Sequence, residues 1–339
     1  MSRSISDRGA VTTKPHIEAL RAQRAELIAP LLRELELDPG VISAMELAPG
    51  GNSRETWIIT LTAGADSRKL VFRCDPDHWI RPHEMRREID GLRLAERAGV
   101  PVPKLLMSSD QLDIGRPYVL TEYVAGTSIS RRILRGDEFA AARRSFATDC
   151  GRILAKLHAA TALAKDWPHE DPLLELERYR VDARYPSPVF AGSLRWLASH
   201  RPQAPRELSP VHRDFRLGNL MMDASGIVAV LDWETCHLSD PYEDLAWLCS
   251  RAWRYGSEHP VGGIGELREL LESYARHRGE DIDMQRLRWW QVFAATRWGL
   301  ASGARPRAGS AGDALEEAAI ARQVCRQEQY VLLELREAL

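Results

Sequence analysis

The spacing of apolar residues changes twice along this chain. Between Lys14 and Leu37, Ile17, Leu20, Leu27, Leu31, Leu32 and Leu35 recur at helical spacing, which predicts an amphipathic helix that Asp38-Pro39-Gly40 stops. The period then shortens. Val41–Ala48, Thr56–Leu61, Leu70–Arg73 and Tyr118–Gly126, the last running into its glycine, are short runs rich in β-branched or aromatic residues, and they predict strands. One helix interrupts them, Arg81–Ala98, with Met85, Ile89 and Leu92 in register, and Gly99-Val100-Pro101-Val102-Pro103 ends it. Beyond Gly126 the helical period returns in Phe139–Ala159, around Leu194–His200, and in Tyr242–Trp253, Glu266–Arg278, Met284–Leu300 and Asp313 to the end. Tyr179–Pro188 reads as an irregular link. Ile227–Leu231 is an exception, a short apolar run after Ser225-Gly226 that predicts a buried strand. The pattern is α+β, with a strand-rich part over residues 1–125 and a mostly helical part over residues 126–339.

Composition narrows the class without naming a chemistry. The 339 residues are 44% hydrophobic and 28% charged with a net charge of −2, as in a soluble globular protein of one large or two modest domains. There is no basic excess to point to nucleic acid. No apolar signal core opens the chain and no run is long enough to span a membrane, so no membrane partner is expected. The cysteines Cys74, Cys150, Cys236, Cys249 and Cys325 are scattered, odd in number and without CxxC spacing, which predicts reduced thiols in a cytoplasmic protein. Nothing in the composition sets the oligomeric state.

The chemistry is concentrated between Leu208 and Ala246. His212-Arg213-Asp214 is followed by Asn219, then by a short hairpin, then by Asp232 at the end of the apolar run. Phosphoryl transfer asks for positioning of a hydroxyl and neutralisation of phosphate charge. A loop aspartate can accept the hydroxyl's hydrogen bond, while an asparagine carbonyl and a second carboxylate can hold Mg²⁺, a hard ion that takes oxygen ligands. His-Arg-Asp with an asparagine after four intervening residues is the kinase catalytic-loop signature.

The stretch resembles the aminoglycoside phosphotransferase and choline kinase-like family of small-molecule kinases. The resemblance covers roughly residues 40–333. It implies a bilobal protein-kinase-like fold, with a small antiparallel sheet lobe carrying a helix and a larger helical lobe. It implies ATP, or GTP, as donor, Asp214 as catalytic base, and Asn219 and Asp232 as Mg²⁺ ligands. Asp232-Trp233-Glu234 replaces the Asp-Phe-Gly of protein kinases, and no Ala-Pro-Glu follows, which favours a small-molecule acceptor. Asp240-Pro241 and Asp244 match the family's D-P-x-x-D element, expected to hold the catalytic loop from behind. Gly50, Gly51, Asn52 and Ser53 would form the nucleotide-covering loop. Glu122 and Val124, at the end of a strand, would meet adenine through backbone groups. Arg73 stands where the family carries a strand-three lysine, with Lys69 the other cation nearby. Glu88 is the candidate partner for that cation, and Glu84, one turn earlier, is the second. His158, after Leu157, reads as a packing histidine.

The resemblance also says where the acceptor would sit, among helices after the metal aspartate. There, Met284–Gly312 carries Arg286, Arg288, Arg297, Arg305 and Arg307 and neither aspartate nor glutamate. Aminoglycosides are polycations and want carboxylates around them, so a purely positive tract fits an anionic acceptor. The same block and the tail resemble the branch whose kinase domains are fused to acyl-CoA dehydrogenases, which implies a hydroxyacyl-CoA. A packed core helix with solvated arginines is the plainer account of the tract. An aminoglycoside kinase and a catalytically silent nucleotide-binding scaffold are the alternatives.

Overall fold

The alternating runs of the first part build one sheet. The computed structural model describes residues 14–48, 54–77, 79–182, 186–304 and 314–338. In order come α1 (Lys14–Glu34), β1 (Ile42–Leu47), β2 (Glu55–Ala63), β3 (Asp66–Cys74), α2 (Pro82–Arg97), β4 (Leu105–Ser109) and β5 (Tyr118–Glu122). The strands lie in the order β1-β2-β3-β5-β4, antiparallel throughout. Alternation along β3 divides its faces. Leu70, Phe72 and Cys74 are buried, and with Trp57 and Ile59 they join Ile28, Leu31 and Leu32 of α1 in a core. Val71 and Arg73 point the other way.

The α1 side of this unit also buries charge. Arg24, with no exposed surface, donates to Glu55 at 2.7 and 2.8 Å and to Asp77 at 3.2 Å, and the Trp57 indole donates to the same Glu55 at 3.0 Å. A buried guanidinium persists only where its donors are met in this way.

The second part comprises α3 (Ser130–Arg135), α4 (Ala140–His158), α5 (Pro172–Asp182), α6 (Pro188–Ser199), β6 (Ser209–Val211), β7 (Leu220–Asp223), β8 (Gly226–Val230), β9 (His237–Ser239), α7 (Tyr242–Cys249), α8 (Leu267–Arg278), α9 (Met284–Ala304) and α10 (Ala314–Ala338). Two small antiparallel ladders, β6 with β9 and β7 with β8, carry the segments that the motif occupies. Three departures from expectation have local causes. The stretch read as an irregular link begins inside α5, which starts at Pro172 with Asp171 capping the Leu173 amide at 2.9 Å. The helix expected through Trp253 stops at Cys249 and continues as a tight turn over Arg251–Trp253. The β6–β9 ladder has three residues a side, too few to show alternation.

The chain divides into two compact units, Met1–Arg93 with Val102–Ala125, and Leu94–Pro101 with Gly126–Leu339. Leu94–Pro101 goes with the second unit because Pro101 and Gly99 carbonyls accept from the Val230 amide at 2.8 Å and from Lys156 at 3.1 Å. No described helix is long and apolar enough to cross a membrane. The five cysteines are free thiols, all buried except Cys325.

Candidate active site

Asp214 sits on the loop between β6 and β7, and its carboxylate is fixed by three donors. Trp247 Nε1 reaches Oδ1 at 2.8 Å, Asn219 Nδ2 reaches Oδ2 at 2.7 Å, and Arg216 Nε lies 3.0 and 3.1 Å from the two oxygens. The Asn219 amide also closes the loop on the Asp214 carbonyl at 2.9 Å. Arg216 lies over the Trp253 ring, 4.7 Å from its centroid. Gly218 makes room for it, since a Cβ there would stand 2.4 Å from Arg216 Nη1.

The loop is held from behind. Asp244, with no exposed surface, accepts from the His212 and Arg213 amides, both at 2.7 Å, and from His158 Nε2 at 3.2 Å. The expected backing role of Asp244 is thus drawn bond by bond. His158 is more than packing, for its other nitrogen meets the Tyr274 hydroxyl at 2.9 Å. His212 is a neutral link. Its Nδ1 accepts the Asp214 amide at 3.2 Å, so its Nε2 carries the proton donated to the Leu231 carbonyl at 2.9 Å. That bond, with Leu231 N donating to Asn219 O at 2.8 Å, ties the segment bearing Asp232 to the segment bearing Asp214.

Two residues here adopt left-handed backbone without being glycine, Arg213 at φ 71° and Asp232 at φ 70°. Such conformations cost energy and persist where surrounding bonds over-determine them. Arg213 is gripped at both ends of its backbone, at the amide by Asp244 and at the carbonyl by Arg297 Nη2 at 3.0 Å. Its side chain pairs with Glu175 of α5, with Glu243 3.7 Å away. Arg297 in turn meets Glu243 at 3.0 Å and lies over the Trp247 ring at 4.1 Å. Burial by itself would raise the Glu243 carboxyl, but His237, Arg297 and Arg213 beside it hold it well below its usual range.

Arg297 was expected to lend positive charge to an acceptor pocket, and the structure corrects this. It is buried and spent on Glu243 and the Arg213 carbonyl of the Asp214 loop. Arg286 pairs with Asp240 at 3.3 Å and Arg288 with Glu337 at 3.2 Å. Among the described residues, the arginines of this tract therefore pair with carboxylates from other segments. Arg305 and Arg307 lie outside the described residues, as do Gly50, Gly51, Asn52 and Ser53.

In the first unit, Arg73 Nη1 and Glu88 Oε1 form an ion pair, and Glu88 Oε2 also accepts from Arg54 at 2.5 Å. Arg54 reaches on to Asp75 at 3.0 Å. Glu84 pairs with Arg81 instead. Lys69 shares the strand face of Arg73 but is exposed, over the Tyr123 ring at 5.4 Å. Glu122 ends β5, with its amide bonded to the Lys104 carbonyl at 2.9 Å and its side chain near Arg68, and Val124 lies just past the strand.

The Asn219 amide nitrogen is committed to Asp214, which leaves its Oδ1 as a carbonyl donor. Asn219 Oδ1 and the Asp232 carboxylate are oxygen donors of the kind that could hold Mg²⁺. Among the described residues no three His, Cys, Asp or Glu side chains converge on one point. A two-ligand site completed by water and phosphate oxygens needs none.

The phosphotransferase enzyme family model, that of the aminoglycoside phosphotransferases, matches residues 44–290. The chain belongs to this family. Among curated proteins, this phosphotransferase is similar to mouse acyl-CoA dehydrogenase family member 10, 32% identical over 225 residues, which are 62% of this chain and 20% of that protein. It is also similar to human acyl-CoA dehydrogenase family member 11, 26% identical over 70% of this chain and 33% of that one. It thus spans about a fifth to a third of those relatives. Two solved structures share its kinase-like α+β fold. A choline kinase from Cryptosporidium parvum gives a TM-score of 0.63 at 12% identity, covering 92% of this chain and 95% of that one. A choline kinase from Streptococcus pneumoniae gives 0.62 at 16%, covering 95% and 99%.

Several contributors to the site, Glu243 and Arg54 among them, carry no signal in the sequence. Trp247 looked like core, Glu175 lies on a helix whose start was missed, and Arg216 was passed over although it stands two residues after Asp214. Only Arg216 carried a readable signal, a cation inside the motif itself.

Proposed function

We propose that this phosphotransferase is a Mg²⁺-dependent kinase that moves the γ-phosphoryl group of ATP to a hydroxyl of a small molecule, and that the acceptor is a hydroxyacyl-CoA. The observation that carries the reaction is the Asp214 carboxylate, fixed by Trp247, Asn219 and Arg216 on a loop clamped by Asp244. A carboxylate so oriented can accept the proton of a substrate hydroxyl in line with a phosphoryl group. The hydroxyl oxygen forms its bond to the γ-phosphorus, the bond from that phosphorus to the bridging oxygen breaks, and ADP leaves with the electron pair. Arg216, already beside Asp214, meets the negative charge of the transferred group.

Asn219 Oδ1 and the Asp232 carboxylate are the ligands for Mg²⁺. When bound, the ion supplies charge neutralisation at the phosphate oxygens. Arg73, steadied by Glu88, engages nucleotide phosphates, Gly50–Ser53 cover them, and the Glu122 carbonyl and Val124 amide take the adenine. Structures of related fold holding AMP-PNP, ADP or ATP support the choice of donor. The acyl-CoA dehydrogenase names of the relatives support the acceptor class.

The test is ADP release by purified protein with Mg²⁺, across hydroxyacyl-CoA compounds, aminoglycosides, amino alcohols and sugars. Release that depends on a hydroxyacyl-CoA is expected, and release with an aminoglycoside alone would overturn the acceptor. Asp214→Ala should abolish transfer while leaving nucleotide binding intact. Turnover retained in that variant would remove Asp214 from its role.

A further inference from the structure

The second unit holds a cleft that the proposed chemistry does not use. Its volume is about 1030 Å³, and it lies between α3, the start of α4 and the segment following Tyr255. Four arginines line it, Arg131 and Arg135 from α3 and Arg143 and Arg144 from α4. Arg143 is structural, since its guanidinium donates to the Ile133 and Gly136 carbonyls at 2.8 and 2.7 Å. The other three are exposed, and among the described residues none of them has a hydrogen-bond or ion-pair partner. Two glutamates also line the cleft, and one of them, Glu266, is paired with His259 at 2.6 Å.

Arg131 and Arg135 stand one turn apart, so like charges face each other along one side of α3, an arrangement that disfavours the free helix. An anion between them reverses the sign of that interaction, and guanidinium forks match phosphate oxygens. The opposite wall is built to a fixed shape. Tyr255 is left-handed at φ 52°, and a Cβ on Gly263, at φ 76°, would stand 2.5 Å from the Arg254 carbonyl. The rim runs to the catalytic loop. The Tyr255 hydroxyl meets Ser130 Oγ at 2.9 Å, and that same Oγ lies 3.9 Å from a Cβ built on Gly218, which stands beside Arg216.

We infer that Arg131, Arg135 and Arg144 bind the phosphate-bearing end of the acceptor, while its hydroxyl lies at Asp214. The inference rests on the acyl-CoA reading and adds to it the side chains that hold the coenzyme's phosphates. Two matched acceptors test it, a hydroxyacyl-CoA and the same hydroxyacyl group on pantetheine, which has no phosphate. In Arg131→Gln/Arg135→Gln/Arg144→Gln, KM for the CoA acceptor should rise about tenfold or more, because charge-assisted bonds to phosphate are lost. KM for ATP, and all constants with the pantetheine acceptor, should not change. Equal shifts with both acceptors, or none with either, would overturn the assignment.

Calorimetric titration with coenzyme A alone separates this inference from the reading beneath it. Binding to the native protein that the triple variant loses upholds the cleft even if no hydroxyacyl-CoA is phosphorylated. Undetectable or unaltered binding refutes the cleft even if transfer occurs. Titration with inorganic pyrophosphate distinguishes the sources of phosphate. A coenzyme site binds coenzyme A in preference, whereas equal binding of pyrophosphate would mean a site for free phosphates and overturn the acceptor assignment.

Discussion

Two groups of arginines in the second unit look alike in sequence and differ in what surrounds them. Along α9, Arg286, Arg288 and Arg297 meet Asp240, Glu337 and Glu243, carboxylates brought from other segments. Around the α3–α4 cleft, Arg131, Arg135 and Arg144 meet none among the described residues. Charge counted along a helix is therefore not charge presented to a ligand. The α9 tract contains no acid of its own and still displays little free positive charge, because pairing is decided by the fold. The contrast predicts that α9 arginines act on stability and loop geometry, and cleft arginines on affinity.

The most severe test is Arg297→Met. Removing Arg297 takes from buried Glu243 one of three cationic neighbours and leaves His237 at 3.2 Å and Arg213 at 3.7 Å, so the cost should lie below the roughly 3–5 kcal/mol of a charge left wholly unpaired. The substitution also frees the Arg213 carbonyl and uncovers Trp247, so kcat should fall with stability while KM for the acceptor moves little. Denaturant unfolding and steady-state kinetics read both. A stable Arg297→Met protein with only a raised acceptor KM would return Arg297 to the substrate pocket and break the contrast.

The same pair makes a prediction in pH. The folded pKa of Glu243 is depressed, so its contribution to stability is fully present above its ordinary value of 4.5 and is lost as pH falls through the folded value. Unfolding followed from pH 7 downward should show stability declining below about pH 4.5, and Glu243→Gln should flatten that decline. A slope unchanged by the substitution would assign the acid sensitivity to other carboxylates.

Smaller in effect is Trp247→Phe, which keeps the ring under Arg297 and deletes the 2.8 Å bond to Asp214. Loss of one orienting bond of about 1–1.5 kcal/mol should lower kcat about tenfold with KM and stability nearly unchanged. An unaltered kcat would mean that Asn219 and Arg216 suffice to hold the carboxylate.

How much of this was readable beforehand follows the range of the interactions. The His-Arg-Asp loop, Asn219, Asp232 and the backing Asp244 lie within one stretch, and chemistry fixes their order, so a linear motif reveals them. Most strands and helices were readable because burial imposes a period on their residues. Partners were not. Nothing near Arg297 in sequence announces Glu243, 54 residues away, and nothing near Asp214 announces the Trp247 indole, 33 residues on. The Arg73–Glu88 pair was anticipated because a strand and the next helix place them by a regular geometry. The sharing of Glu88 with Arg54 was not, since Arg54 follows a turn with no periodic signal.

The mildest substitution bears most directly on the contrast, because it isolates pairing from burial. Arg288 lies on α9 with its side chain one-third exposed, pairing with Glu337 of α10 at 3.2 Å and with Gln291 at 3.3 Å. Solvent-exposed pairs contribute about 0–1 kcal/mol, since water screens the attraction and two long side chains must be ordered. Glu337 keeps a second partner in Arg251, so it is not orphaned when Arg288 is lost. Arg288→Gln should therefore shift unfolding by less than about 0.5 kcal/mol and leave kcat and both KM values as they are. If it instead weakened the acceptor as strongly as the cleft substitutions do, paired and unpaired arginines would be functionally alike, and the anion site would extend along α9. If it behaved as silently as expected, the paired arginines of α9 would be set apart as scaffold, in contrast to the arginines of the cleft, which meet no carboxylate among the described residues.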